Sequence, residues 1–183
     1  MRPSTRGWLI GLLLCFASNA SAQFNDVLSR KSLEGIIAFG IVIDDPSSDL
    51  QLNGLTRAMV RSDVELRLRR QGMRFLDDEA LTREPGGPYL RVIVTGRRTA
   101  APQLIGFVIS VQFEQAVLPT RFLGKAGDNT PRPERTVFAS TWGVNGLGSA
   151  GTEAVTRVIR DNLAGFVDQF IDAYLSANAP LKN

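Results

Sequence analysis

Two groups of carboxylates are the first residues whose spacing could do chemistry. Asp44, Asp45 and Asp49 form one group; Asp77, Asp78 and Glu79 form the other. Paired carboxylates can hydrolyse a glycosidic bond as acid and base, and clustered ones can hold calcium through oxygen ligands. Neither group has the spacing of a calcium loop, so no metal site is expected. Each group directly follows an apolar run, where acids form turns and cap helices. Their expected role is structural, with Asp/Glu-dependent hydrolysis as an alternative.

The bases form two clusters, Arg67, Arg69, Arg70 and Arg74, and Arg97 with Arg98. Such clusters bind phosphate, lipid headgroups or cell-wall polymers. Asp63 and Glu65 stand within helical reach of the first cluster, which favours a solvated, self-paired helix face. The stretch from Gly146 to Gly151 matches G-x-G-x-x-G. A dinucleotide site would need a second parallel strand ending in an acid for the ribose. Here the next acids lie in the helix that follows, Asp168 among them. The motif therefore reads as a glycine-rich strand-to-helix turn over residues 145–151, with Thr152 as N-cap and anion binding at that helix start as a lesser reading. Phe166, Phe170 and Tyr174 could line a lipid or peptide groove, but their steps of four are those of a core stripe.

The chain has no histidine. That removes the usual general base near neutral pH and the commonest metal ligand. The single cysteine is Cys15. Ser-His-Asp chemistry, Cys-His chemistry and His-ligated zinc are excluded, and no cofactor is implied. Lys31, Lys125 and Lys182 stand in no motif that would make a lysine base.

Residues 1–22 read as a cleavable signal peptide. Arg2 and Arg6 precede an uncharged apolar run over residues 7–17, and Ala20 and Ala22 make a small-x-small site that places the cut between Ala22 and Gln23. At ~1.5 Å per residue that run reaches about half of a ~30 Å bilayer core, too short to span it. Leu14, directly before Cys15, argues against a lipid anchor. Cleavage removes Cys15 and both early arginines, so the net charge falls from +3 to +1. A thiol-free, nearly neutral domain is no generic nucleic-acid binder.

Hydrophobic patterning supplies the elements that would position these groups. Residues 35–44 are a nearly continuous apolar run, hence a buried strand. Residues 50–71 read as one helix with Leu52, Leu55, Met59, Ser62 and Leu66 on its inner face, Arg61–Glu65, Asp63–Arg67 and Glu65–Arg69 as i,i+4 pairs, and Gly72 ending it. Strands follow at 73–76, 89–95, 104–118 and 135–144, with a flexible loop over 119–134. Residues 152–176 form the second long helix, with Val155, Ile159, Leu163, Phe166, Phe170 and Tyr174 inward. The order is β-α-β-β-β-β-α. It predicts an α+β two-layer sandwich: a mixed, mostly antiparallel sheet of four to five strands with two main helices on one face. The divisions are a 1–22 signal peptide, a 23–34 N-terminal arm, a single 35–178 domain and a 179–183 tail.

The segments SLEGIIAFGIVIDD, VELRLRRQGMRFLDDEA, PYLRVIVTG, FVISVQFEQAV, STW and NLAGFVDQFIDAYLSANAP stand in this order between Ser32 and Pro180. In them the chain resembles a widespread family of small uncharacterised exported bacterial proteins, VELRLRR with its following glycine being the most specific part. No activity is established for that family, so the resemblance implies no catalytic residue. The strand-helix-strand opening looks, more loosely, like domains of envelope assembly and transport accessory proteins. The function expected is a non-enzymatic periplasmic or secreted binding or accessory module, meeting an envelope protein through a sheet edge or face. A carrier of a small apolar ligand or lipid is the first alternative.

Overall fold

The computed structural model describes residues 23–101, 103–120 and 136–179. The signal segment with its cleavage after Ala22, most of the 119–134 loop and the end of the 179–183 tail lie outside the described residues. In chain order the elements are β1 (Gln23–Phe24), α1 (Val27–Lys31), β2 (Phe39–Ile43), α2 (Ser48–Leu52), α3 (Arg57–Arg70), β3 (Phe75–Leu76), α4 (Asp78–Arg83), β4 (Tyr89–Arg98), β5 (Leu104–Val117), β6 (Val137–Gly151) and α5 (Val155–Ala177). One sheet runs β1-β6-β5-β4-β2-β3. β4, β5 and β6 pair antiparallel in succession, and β2 lies parallel to both β4 and β3. The result is an α+β two-layer sandwich with α3 and α5 on one face. All five expected strands are present. The two-residue β1, from the arm, adds a sixth by pairing with β6.

Alternation builds the inner face of the sheet. Leu90, Val92 and Val94 of β4 and Ile105, Phe107, Ile109, Val111 and Phe113 of β5 are all buried at every second position. Against them α3 sets Val60, Val64 and Leu68, and α5 sets Val155, Ile159, Leu163, Val167 and Phe170, at steps of three and four.

Residues 50–71 are not one helix. Gly54, at φ +86°, stops α2, and the Thr56 hydroxyl accepts from the Met59 N–H to cap α3 afresh. The break shifts the helical phase. Leu50 and Leu55 are buried, but Leu52 and Leu66 are exposed, and the inward stripe of α3 is Val60, Val64 and Leu68. Gly72 does end α3, at φ +70°.

Residues 145–151 are not a turn. They continue β6, paired residue for residue with β5 from Asn145 opposite Ser110 to Gly151 opposite Leu104. Thr152 is correspondingly no N-cap: its N–H donates to the Gln103 carbonyl at 2.9 Å, and Ala154 opens α5 without a side-chain cap. The glycines are required by close packing. A Cβ on Gly148 would stand 2.6 Å from the Phe107 ring, its cross-strand partner, and one on Gly146 2.6 Å from the Phe166 ring.

The Phe107 ring is buried, whereas the Phe166 ring is only partly buried and yields more easily. Gly148→Ala should therefore destabilise the fold by ~1–3 kcal/mol, and Gly146→Ala by less. Denaturant unfolding of both variants measures the difference; equal stability of Gly148→Ala and wild type would contradict this packing.

Candidate functional site

The helices cover one face of the sheet. On the other face, Tyr89, Arg91, Ile93 and Thr95 of β4 stand opposite Glu114, Gln112, Ser110 and Val108 of β5. Leu147 of β6 stands opposite Val108, and Asn145 opposite Ser110. α4 covers a corner of this outer face, where Leu81 lies against Gly40.

One end of the outer face is a polar cluster. The parallel register of β2 with β4 carries Asp44 beside Arg91, with the Asp44 N–H bonded to the Val92 carbonyl at 3.0 Å. Arg91 donates through Nε and Nη2 to the two Asp44 oxygens at 3.1 and 2.9 Å. Its Nη1 stands 3.6 Å from Glu114 Oε1. The Tyr89 hydroxyl donates to Glu114 Oε2. Burial, and next this bond to Glu114, push the Tyr89 pKa up to about 12. The tyrosine stays protonated and both carboxylates are engaged by donors. The cluster is thus a closed hydrogen-bonded unit and offers no activated base or nucleophile. Beside it lies an open cleft of about 510 Å³ walled by Leu81, Tyr89, Ala116 and Phe138. At the other end of the face Val108 and Leu147, directly opposed, are 41% and 63% exposed.

The other groups with chemical potential are placed as follows. Asp45 reaches Arg57 at 3.6 Å on the surface. Asp49 accepts from the Arg98 N–H at 3.0 Å. Asp77 caps α4 through the Ala80 N–H, and Asp78 and Glu79 occupy the first turn, with Glu79 paired to Arg83. The acids are turn and cap residues, and Asp44 alone among them joins the outer-face cluster. Among the described residues no group of three or more candidate metal ligands forms.

Arg67 and Arg70 of α3 face Arg157 and Arg160 of α5 across a surface groove of about 570 Å³. Arg61–Glu65 and Arg69–Glu65 form at 3.1 and 3.0 Å, as expected. The expected Asp63–Arg67 pair is replaced by two bidentate bridges between the helices: Arg67 to Asp168 at 2.6 and 2.9 Å, and Arg160 to Asp63 at 2.6 and 2.9 Å. Arg69 also lies over the Phe75 ring, 4.9 Å from its centroid. Arg70 lines the groove, Arg74 is exposed, and Arg97 and Arg98 end β4. Phe170 and Tyr174 serve the core, and Phe166 covers Gly146.

Tyr89, Arg91 and Glu114 form no group by sequence spacing alone. The signal was available in the alternation of β4 and β5, which sends all three to the wet face; their register was not. No family model, curated protein or solved structure matches the chain.

The chain has two tyrosines, and folding raises the pKa of both above the ordinary 10.0, Tyr174 through burial. A group whose pKa rises on folding contributes stability that is whole below its unfolded pKa and is lost as pH climbs through the folded one. The Tyr89 contribution should therefore disappear between pH 10 and about 12. Phenolate absorbance should show a step near 12 that Tyr89→Phe removes, and Tyr89→Phe should flatten the alkaline loss of stability. Ionisation of Tyr89 at the ordinary value would remove the Glu114 bond from this account.

Proposed function

We propose that this protein is a non-enzymatic binding or accessory module of the bacterial cell envelope, exported to the periplasm or beyond, and that it works through the outer face of its sheet. The observation that carries the reading is the one-sided layering. Helices shield one face, while the other presents the exposed Val108–Leu147 pair at one end and the Arg91 cluster at the other. An exposed apolar pair on a face that also carries fixed polar groups can serve as a protein-binding patch. The fitting partner is a protein that lays an apolar side chain on Val108 and Leu147 and turns acceptors and donors toward Arg91 and Glu114. The export assignment rests on residues 1–22.

The carrier alternative requires space between sheet and helices. The packed rings of Phe39, Phe113 and Phe170 fill the middle of that layer, and the space between α5 and Gly146 at its margin is an open cavity of about 190 Å³, small for a lipid, which favours the binding module. The hydrolase alternative requires a pair of free carboxylates. Asp44 and Glu114 flank Arg91 instead, which favours the same reading.

Val108→Lys tests the assignment, because it places a charge in the apolar patch without touching the core. Purified protein incubated with envelope extract should retain a specific partner in near-equal amount. Val108→Lys should weaken that retention at least about tenfold, the effect of losing ~1.4 kcal/mol of contact. Arg157→Ala, in the helical groove, should leave it unchanged. The reverse outcome would overturn the reading and move the surface to the groove.

A further inference from the structure

Four glycines of the sheet are required by close packing. A Cβ at Gly40, Gly96, Gly146 or Gly148 would stand 2.6–2.8 Å from the side chain of Leu81, Leu50, Phe166 or Phe107 respectively. Gly106 of β5 is different. The nearest atom to a Cβ there would be Thr99 Cγ2 at 3.8 Å, an ordinary contact. Its φ lies outside the left-handed region that favours glycine. Glycine within a strand weakens it, and neither packing nor backbone asks for one here.

What Gly106 supplies is space on the outer face of the sheet. It stands opposite Arg97 of β4 and Ser149 of β6, and Phe107 beside it turns inward. The missing side chain leaves a shallow depression of about 250 Å³, floored by Gly106 and bordered by Thr95, Arg97, Val108 and Leu147. The exposed Val108 and Leu147 give it an apolar wall.

Arg97 is the charged residue of this border. Among the described residues its guanidinium has no hydrogen bond or ion pair. Asp49, at the same end of β4, accepts from the Arg98 N–H. The outer-face carboxylates, Asp44 and Glu114, flank Arg91 at the other end of the strand. Arg91 and Arg97 lie ~20 Å apart along β4, beyond the ~8 Å over which exposed charges act at physiological salt. The depression therefore joins an unfilled apolar recess to an uncompensated positive charge.

We propose that this depression seats one apolar side chain of an extended segment of a partner protein, and that an acidic residue two positions away in that segment pairs with Arg97. The inference rests on the outer-face reading and names the chemistry of the partner. The recess is open to solvent, so it suits a side chain presented on a backbone and cannot enclose a free ligand. Charge complementarity sets the sign: Arg97 attracts an acid and repels a base. The spacing follows from extended geometry, in which residues two apart share a face and lie ~7 Å from one another. A long arginine side chain standing directly opposite Gly106 covers that distance.

The test uses two capped pentapeptides, Ser-Phe-Ser-Glu-Ser and Ser-Phe-Ser-Lys-Ser, titrated into isotope-labelled protein while amide chemical shifts are followed. The Glu peptide should shift the amides of Arg97, Gly106 and Val108, and the Lys peptide should bind at least about fivefold more weakly. Arg97→Glu should exchange that preference, an outcome that a merely structural role for Arg97 would not give. Gly106→Val fills the recess and should weaken both peptides at least about tenfold. It should unfold at no lower denaturant concentration than wild type, because valine suits a strand better than glycine. Silence of the Glu peptide, equal binding of the two peptides by wild type, or unchanged binding in Gly106→Val would each overturn the proposal. If Gly106→Val does not fold, the exchange of preference in Arg97→Glu decides alone. Loss of retention from envelope extract in Val108→Lys, with full retention in Arg97→Glu and Gly106→Val, would leave the outer-face reading standing and overturn this one. Full retention in Val108→Lys together with silent peptides would remove both.

Discussion

The contacts of Phe170 tie the two layers of this protein together. From the inner side of α5 its ring meets Phe39 of β2 at 5.4 Å, Phe113 of β5 at 5.6 Å, Trp142 of β6 at 5.3 Å and Tyr174 one turn on at 6.0 Å. Aromatic pairs of this geometry contribute about 0.5–1.5 kcal/mol each beyond the area they bury. The described residues include no cysteine, so no disulfide can share this task. The knot also anchors the periphery. The Tyr174 hydroxyl donates to the Ile36 carbonyl at 2.6 Å, and Asn178 bonds both the Gly35 N–H and the Leu33 carbonyl at 2.9 Å. Trp142 Nε1 holds Asn25 of the arm at 3.1 Å. The last helix thus fixes both the entry to β2 and the position of β1.

Placing the fully buried aromatic rings on one side leaves the outer face largely to polar pairing. Its Arg91 cluster and the α3–α5 bridges are partly exposed, and exposed ion pairs contribute little to stability, about 0–1 kcal/mol. Their effect is on geometry. Arg67–Asp168 and Arg160–Asp63 are bidentate, so they set the two helices in one register along the groove. Arg91, shared between Asp44 and Glu114, likewise ties the end of β2 to β5 across β4. Of the carboxylates that the sequence offered as catalytic candidates, Asp44 takes part in this positioning, while Asp45 and Glu79 pair on the surface and Asp49 and Asp77 accept from backbone N–H groups.

Legibility in the sequence tracked how local each determinant was. The alternation of β5 and the stripe of α5 are local periodicities, and the architecture built from them stands. The break at Gly54 was less visible, because residues 50–71 keep a helical rhythm on either side of it. Four residues of non-helical backbone rotated the buried face from Leu52, Ser62 and Leu66 to Val60, Val64 and Leu68. The Asp63 and Arg67 partners lie on α5, about a hundred residues away in the chain, so i,i+4 proximity alone suggested the wrong pair. Tyr89 and Glu114 were legible as wet-face residues, but their meeting depends on the β4–β5 register.

The stretch 145–151 carries the largest reversal and the most consequence. Glycine favours turns because it lacks a Cβ, and the same lack lets a strand run against a ring. Sequence cannot separate these uses, since both ask for glycine and neither asks for a partner close by. Here Phe107 and Phe166 occupy the volume that side chains at Gly148 and Gly146 would fill, so strand and rings are complementary. A turn at this place would have ended the sheet at Val144, under the cover of β1. A strand extends the β5–β6 ladder seven residues further, to Gly151 opposite Leu104. The glycine that the rings require inside the fold is thus what lets β6 continue beside β5 as far as Gly151.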